Sequence, residues 1–380
     1  MADTPSYPLL PYSQLVFDMQ KSSPEVYTTG AVMRLEKSEV DMARLRSAIA
    51  QAIGNHPAFQ MHIDADGYQQ FEPLPDVLHG QYHSIDFVEH DDSVDVHLKG
   101  NRILGDAISD GILTEDIARA YQELPLQKDH YLEYLQLKEE DKRTARYIAD
   151  KQWLEAKYGQ VACSVHPHTD VPLQETDAPE EGQLPENYSA LRAALQESGE
   201  KHFLSLTGFF SLASALAIME YNGTDEAALT WAYEGRETEQ EQRIYGSLHR
   251  DVPFKINIQY PISNFKSNLI REARNQIRSG IAHSSYPFTL TKPHTDIWNY
   301  ALNVLVQPSV ERLIKELPFS VRIVDPEEGN HIAYSLLDVE ILDGEQLFIN
   351  YRYSATHYKE SSIRRFAALV RKYAEWLLEE

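Results

Sequence analysis

The chain has 380 residues, 42% of them hydrophobic and 24% charged, a globular composition with length for two ordinary domains. Its 35 basic residues against 58 acidic ones give a net charge of −23, which argues against a nucleic-acid binder or an anionic-membrane binder. The single cysteine, Cys163, excludes an internal disulfide and a cysteine zinc cluster, and fits a reducing, cytoplasmic compartment.

The opening MADTPSYPLLPYSQ has no basic stretch before an apolar core, so no signal peptide is read. No apolar run nears the ~20 residues of a spanning helix. Residues 27–35 alternate weakly and predict a strand. Ser38 is expected to open a helix, with Asp41 as its capping-box partner and Leu45, Ile49, Ala52 and Ile53 as its buried stripe. Pro57 ends that helix, because the residue before a proline is pushed out of helical geometry. Residues 60–63 and 69–71 read as a hairpin around Asp66-Gly67. Residues 94–98 alternate, 111–121 read as a helix, and 139–158 as one charged amphipathic helix.

Residues 166–187 are rich in Pro, Glu and Asp without periodicity and read as a linker. Residues 203–220 form a strongly apolar helix, expected to be buried on most sides. Strands are expected at 229–234, 254–259, 301–307, 319–324, 331–341 and 346–353, with a helix over 264–279 between them. The last helix, 362–378, carries Ile363, Phe366, Leu369, Val370, Tyr373, Trp376 and Leu377 on one face. Helices and strands alternate in both halves, which predicts two α/β lobes, 1–170 and 188–380, joined by a linker at 171–187.

Several segments carry a family resemblance in chain order. YPLLPYSQLVF at 7–17 is similar to an opening "PLSPAQ" segment, and NHPAFQMHI at 55–63 to "RHExLRTxF". Tyr131, Tyr134 and Trp153 match a "YxDY…W" region. YEGR at 233–236 is similar to an "xxGR" strand end, and 244–253 to the "IGxFVNTLP" segment that follows it. HSSYPF at 283–288 is similar to "HQDxPF", and residues 335–353 with the last helix to a closing hairpin and helix. Together these resemble the condensation-domain superfamily, acyltransferases that include the peptide-bond-forming domains of nonribosomal peptide synthetases.

The resemblance implies an α/β fold of two chloramphenicol-acetyltransferase-like lobes in a V-shaped pseudo-dimer with a tunnel between them. It implies attack of an amine or hydroxyl on a phosphopantetheine-linked or coenzyme A thioester, with no tightly bound cofactor. The implied partners are a carrier protein and neighbouring synthetase domains, with no nucleic acid and no membrane. The chain is shorter than a usual member, so some loops are expected to be trimmed.

The family's HHxxxDG motif falls within VDVHLKGNRILGDAISDGILTEDIARAY at 94–121. One register takes Asp110-Gly111 as the Asp-Gly, puts the two histidines on Gly105 and Asp106, and needs a gap further on. The other takes Asp106 as the Asp and puts the histidines on Asn101 and Arg102, with Ser109, Leu113, Ile117 and Tyr121 in step. The second needs no gap and is preferred. Neither supplies a histidine, and an arginine with a pKa above ~12 accepts no proton at neutral pH. In the family the motif's Asp is mainly structural and pairs with an Arg elsewhere. Here Arg102 is expected to pair with Asp106 and hold the loop closed, or else to bind an oxyanion or a phosphate.

The catalytic positions are therefore Asn101, Arg102 and Asp106, with His97, His283 and His357 as alternative bases. Ser109, Trp231, Tyr233 and Arg236 are the expected substrate-binding residues. The plainer alternative packs Trp231 and Tyr233 between sheet and helix. Cys163, His166, His168 and Asp170 lie within eight residues, but their segment reads as a solvated loop and no metal site is expected. Some condensation-like domains carry an Arg at this position and serve as recruitment platforms, so a non-catalytic module that recruits a carrier protein or tailoring enzyme stands as the alternative function.

Overall fold

The computed structural model describes residues 6–21, 28–173, 180–258, 265–290, 301–307, 310–315, 317–325 and 335–379. The chain folds into two units, each gathered from separate stretches.

The first unit comprises Met1–Glu140, Glu234–His249 and Pro308–His331. Its four-stranded antiparallel sheet runs, in spatial order, Arg322–Asp325, Thr28–Glu36, Ser93–Asn101 and His83–Glu89. Val32, Ile85, Val94 and Val96 are buried within it. A three-stranded sheet joins Tyr7–Pro8, Tyr68–Phe71 and Met61–Ile63. The hairpin turns at Gly67, whose φ of 84° is one that L residues rarely adopt. Helix Met42–Asn55 buries Leu45, Ala48, Ile49, Ala52 and Ile53 and packs against helix Ala107–Tyr121.

The cap of Met42–Asn55 corrects the expectation. Ser38 lies in a turn, and Asp41 is itself the N-cap, its side chain accepting from Arg44 N at 3.0 Å. An oxygen set directly before the helix reaches an orphan amide that Ser38 is too far back to serve. The helix expected over 139–158 is broken. Tyr131–Asp141 ends, and Ala145–Tyr158 begins anew with Thr144 accepting from Tyr147 N. The Thr144 hydroxyl also donates to Asp141 O at 2.7 Å, so it closes one helix and opens the next.

The second unit comprises Asp141–Tyr233, Arg250–Gln307 and Ile332–Glu380. Its six-stranded sheet runs Glu181–Asn187, Leu347–Ser354, Leu337–Asp343, Asn303–Gln307, Glu226–Tyr233 and Arg250–Asn257. Asn303–Gln307 is parallel to both neighbours, and the other pairings are antiparallel. Helix Leu206–Asn222 is buried at every residue from Gly208 to Met219, which explains its apolar composition. Among the described residues no single helix is long and apolar enough to cross a membrane. The last helix, Glu360–Leu378, buries Ile363, Phe366, Val370 and Leu377, while Leu369, Tyr373 and Trp376 are half-buried against the same core.

The expected lobe boundary does not match these units. Glu181–Asn187 is a paired strand and not linker, with only Leu184 of its side chains well buried. An edge strand tolerates Pro185 and shows little alternation, so its sequence reads as loop. The expected first lobe also lacks 234–249 and 308–331, which belong to the first unit. Helices Pro11–Gln20 and Arg192–His202 and strand His83–Glu89 were not expected from the sequence. The expected strand 331–341 begins at Leu337, with residues 331–334 outside the described residues, as are Tyr27, Gln259 and Asn264.

Candidate functional site

Strand Ser93–Asn101 delivers the motif loop, and helix Ala107–Tyr121 receives it. Asn101 shapes the turn: its side-chain oxygen accepts from Ile103 N and its carbonyl from Leu104 N, each at 3.0 Å. Ile103 and Leu104 are buried and anchor the loop. A side chain at Gly105 would meet Ser109 Cβ at 2.9 Å, so the close approach there requires glycine. Asp106 is the N-cap, accepting from Ser109 N at 3.1 Å, while Asp106 N donates back to the Ser109 hydroxyl.

Asp106 meets Arg236 in a bidentate pair, Nη1 to Oδ2 at 2.8 Å and Nη2 to Oδ1 at 3.0 Å. Arg236 also donates to the carbonyls of Glu234, Ile244 and Gly246. Leu248 N and His249 N donate to Asp106 Oδ2, and Ser109 Oγ exchanges bonds with Gly246. Burial by itself raises the Asp106 pKa; the Arg236 guanidinium overrides it and holds the carboxyl below its usual range. The node thus fastens the motif loop, the helix start and segment Glu234–His249 together.

Arg102 does not pair with Asp106. Its Nη1 lies 3.8 Å from Asp110 Oδ2, with 24% of the Arg102 side chain and 52% of the Asp110 side chain exposed. The expected pair fails because Asp106 turns inward, where Arg236 and two backbone amides already occupy it. Ser109 and Arg236 are likewise buried inside the node.

A second buried cluster lies in the same unit. His56 Nδ1 is 2.7 Å from Asp129 Oδ2, and its Nε2 is 3.3 Å from Asp116 Oδ2. Asn55 donates to Asp116, while Tyr245 N and Tyr131 N donate to Asp129. Burial pulls the His56 pKa down, but the two carboxylates prevail and raise it above its ordinary value. Sequence reading missed this cluster, because Asp116 lies 61 residues from Asn55 and Asp129 lies 73 from His56.

The three alternative histidines separate. His97 is half-buried on strand Ser93–Asn101, opposite Val32 and Asp86, in the unit that holds the motif. His283 and His357 belong to the second unit. His283 Nδ1 is 2.8 Å from the buried Asp150, and its ring stacks on Trp153 at 4.2 Å. His357 is buried with Nδ1 2.8 Å from Ser354 Oγ. Trp231 and Tyr233 are also in the second unit. Trp231 is buried in its core beneath Gly280, and Tyr233 is half-buried beside it, which is the packing alternative.

The segment from Cys163 to Asp170 is not a solvated loop. Ala228 N and Leu302 N donate to its carbonyls, and Asp170 accepts from Lys359 N and Ser362 Oγ at the start of the last helix. Among the described residues no three His, Cys, Asp or Glu side chains gather as a metal site.

The sheets, the helices and this motif frame define a mixed α/β protein with a chloramphenicol-acetyltransferase-like fold. The profile of the Condensation domain family matches residues 102–379, and the chain belongs to that family. Its structure is similar to the condensation domain of the monacolin K polyketide synthase MokA, with 12% identity, TM-score 0.76, and 99% and 98% of the two chains covered. It is similar to the starter condensation domain of rhizomide synthetase RzmA, with 14% identity, TM-score 0.75, and 98% and 94% covered. It is also similar to the EpoB cyclization-docking bidomain from Sorangium cellulosum, with 14% identity, TM-score 0.79, and 99% and 85% covered. At these identities the likenesses show the fold alone. No curated protein matches the chain by sequence.

Proposed function

We propose that this domain acts on acyl thioesters, carried by phosphopantetheine on a carrier protein or by coenzyme A, and presents them to an attacking amine or hydroxyl. The carrying observation is the Asp106–Arg236–Ser109 node, which holds residues 101–106 in one conformation within a family of condensation domains. The node also favours the ungapped register, since it gives Asp106 the buried arginine partner implied by the motif resemblance. The RzmA starter domain is in complex with C8-CoA, which supports the substrate class. A carrier protein and neighbouring synthetase domains are the proposed partners, in a cytoplasmic setting. Positioning supplies most of the rate; well-oriented reactants gain ~7–11 kcal/mol in favourable cases.

Arg102 favours a second reading. A permanently charged side chain at the second histidine position suits a module that recruits a carrier protein or tailoring enzyme without catalysis. An intact-mass assay decides between them. The protein is mixed with an acyl-loaded carrier protein and an amine acceptor, beside Arg102→Ala and Arg102→His variants. Condensed product from the unmodified protein is the expected outcome. No product, with carrier binding retained, would establish the recruitment reading.

A further inference from the structure

We propose that Asp110, set against Arg102, is the proton acceptor that takes the place of the motif's histidine. This rests on the acyl-transfer reading above.

Asp106 is the N-cap of helix Ala107–Tyr121, and Asp110 stands in that helix's first turn. Their surroundings differ sharply. Asp106 is buried and occupied by Arg236, Ser109, Leu248 N and His249 N. Asp110 has half of its side chain open to solvent, and its Oδ2 lies 3.8 Å from Arg102 Nη1. Arg102 stands at the motif's second histidine position and accepts no proton itself. A carboxylate held at the same point can.

The electrostatics agree with that placement. The protein packed around Asp110 pushes its pKa up to about 6, Arg102 draws it back, and Asp106 adds to the rise. The Tyr245 phenol, on segment Glu234–His249, lies in the field of all three groups. His249 acts on Asp106 from the same segment. The open half of the side chain keeps Asp110 reachable, and its contact with water tempers the rise. Two neighbouring carboxyls whose pKa values are driven apart are a recurring arrangement of acid–base sites. A base with a pKa close to the working pH is also the effective one.

The step balances without any further reagent. The amine lone pair forms a bond to the thioester carbonyl carbon, and the carbonyl electrons move onto oxygen. The ammonium proton of the adduct passes to the Asp110 carboxylate. The oxyanion collapses, the carbon–sulfur bond breaks, and the leaving thiolate takes the proton from Asp110. An amide and a free thiol result, with Arg102 beside the developing negative charge.

The test is the pH dependence of kcat/KM for an acyl-loaded carrier protein and an amine acceptor. The unmodified protein should show an inflection near 6. Asp110→Asn should lose ~100-fold or more in rate together with the inflection, with an unchanged Tm. Asp110→Glu should keep most of the rate. Arg102→Gln should move the inflection upward, because Arg102 opposes the rise at Asp110. An Asp110→Asn protein with unaltered rate and profile would overturn the proposal and leave the acyl-transfer reading standing. No product from the unmodified protein would overturn both. If Asp110→Asn fails to fold, carbon-detected NMR titration of the unmodified protein and Arg102→Gln replaces it. A carboxyl titrating near 6 that moves in the variant supports the proposal, and none above the ordinary carboxylate range overturns it.

Discussion

His56 shows how far one side chain's protonation is set by distant residues. Its imidazole lies between two buried carboxylates, with Nδ1 hydrogen-bonded to Asp129 and Nε2 facing Asp116 at 3.3 Å, so a positive charge on the ring is favoured. Burial lowers its pKa and the carboxylates raise it, with a net rise above the ordinary 6.5 or so. A raised histidine pKa means that the folded state binds the proton more tightly. The stabilisation is therefore complete below the unfolded value of about 6.5, and it is lost as pH rises through the folded value. The melting temperature of the unmodified protein should fall as pH rises from about 6 through the folded pKa, whereas His56→Gln should start lower and change less. A thermal-shift series across that range is the check, and parallel curves would remove His56 from the pH response. Nothing near His56 in the sequence announces this. Asn55-His56-Pro57 reads as a helix end, which it is, while Asp116 and Asp129 are supplied by folding.

At the scale of elements, pattern was a good guide to what is buried and a poor guide to ends. The stripe Leu45, Ile49, Ala52 and Ile53 and the face of the last helix were legible, because a 3.6-residue period reports burial directly. Ends depend on single hydrogen bonds. Ser38 and Asp41 both belong to the residue types that cap helices, and only the backbone conformation decides between them. Asp41→Ala should cost about 1 kcal/mol, whereas Ser38→Ala should have almost no effect. Urea unfolding of the two variants measures the difference, and equal losses would return the cap to Ser38. The break at Thr144 has the same origin, since the charged face runs on unchanged while the hydroxyl closes one helix and caps the next.

At the scale of the molecule, the first unit cannot be completed by the first 170 residues. Strand Arg322–Asp325 pairs with Thr28–Glu36, and Arg236 satisfies Asp106 from 130 residues away. A fragment of residues 1–170 therefore leaves an unpaired carboxylate where a buried pair should be, and exposes a sheet edge. Removing one partner of a buried pair typically costs about 3–5 kcal/mol. The fragment should give no cooperative unfolding transition and should aggregate, as followed by circular dichroism and gel filtration. A fragment that melts cooperatively would show that the first unit stands without its later segments.

The family and the faces of the long helices are properties of the sequence itself. They follow from residue identity and local period, which require no knowledge of what lies across the fold. The partners of Asp106, Arg102 and His56 were decided only by the tertiary structure. A buried charge takes whichever counter-charge the fold brings within about 3 Å, and separation along the chain says nothing about that distance. Arg102 was expected to clamp Asp106 because the two are close in sequence. The fold gave Asp106 to Arg236 and set Arg102 beside Asp110, and the proposed site rests on that exchange.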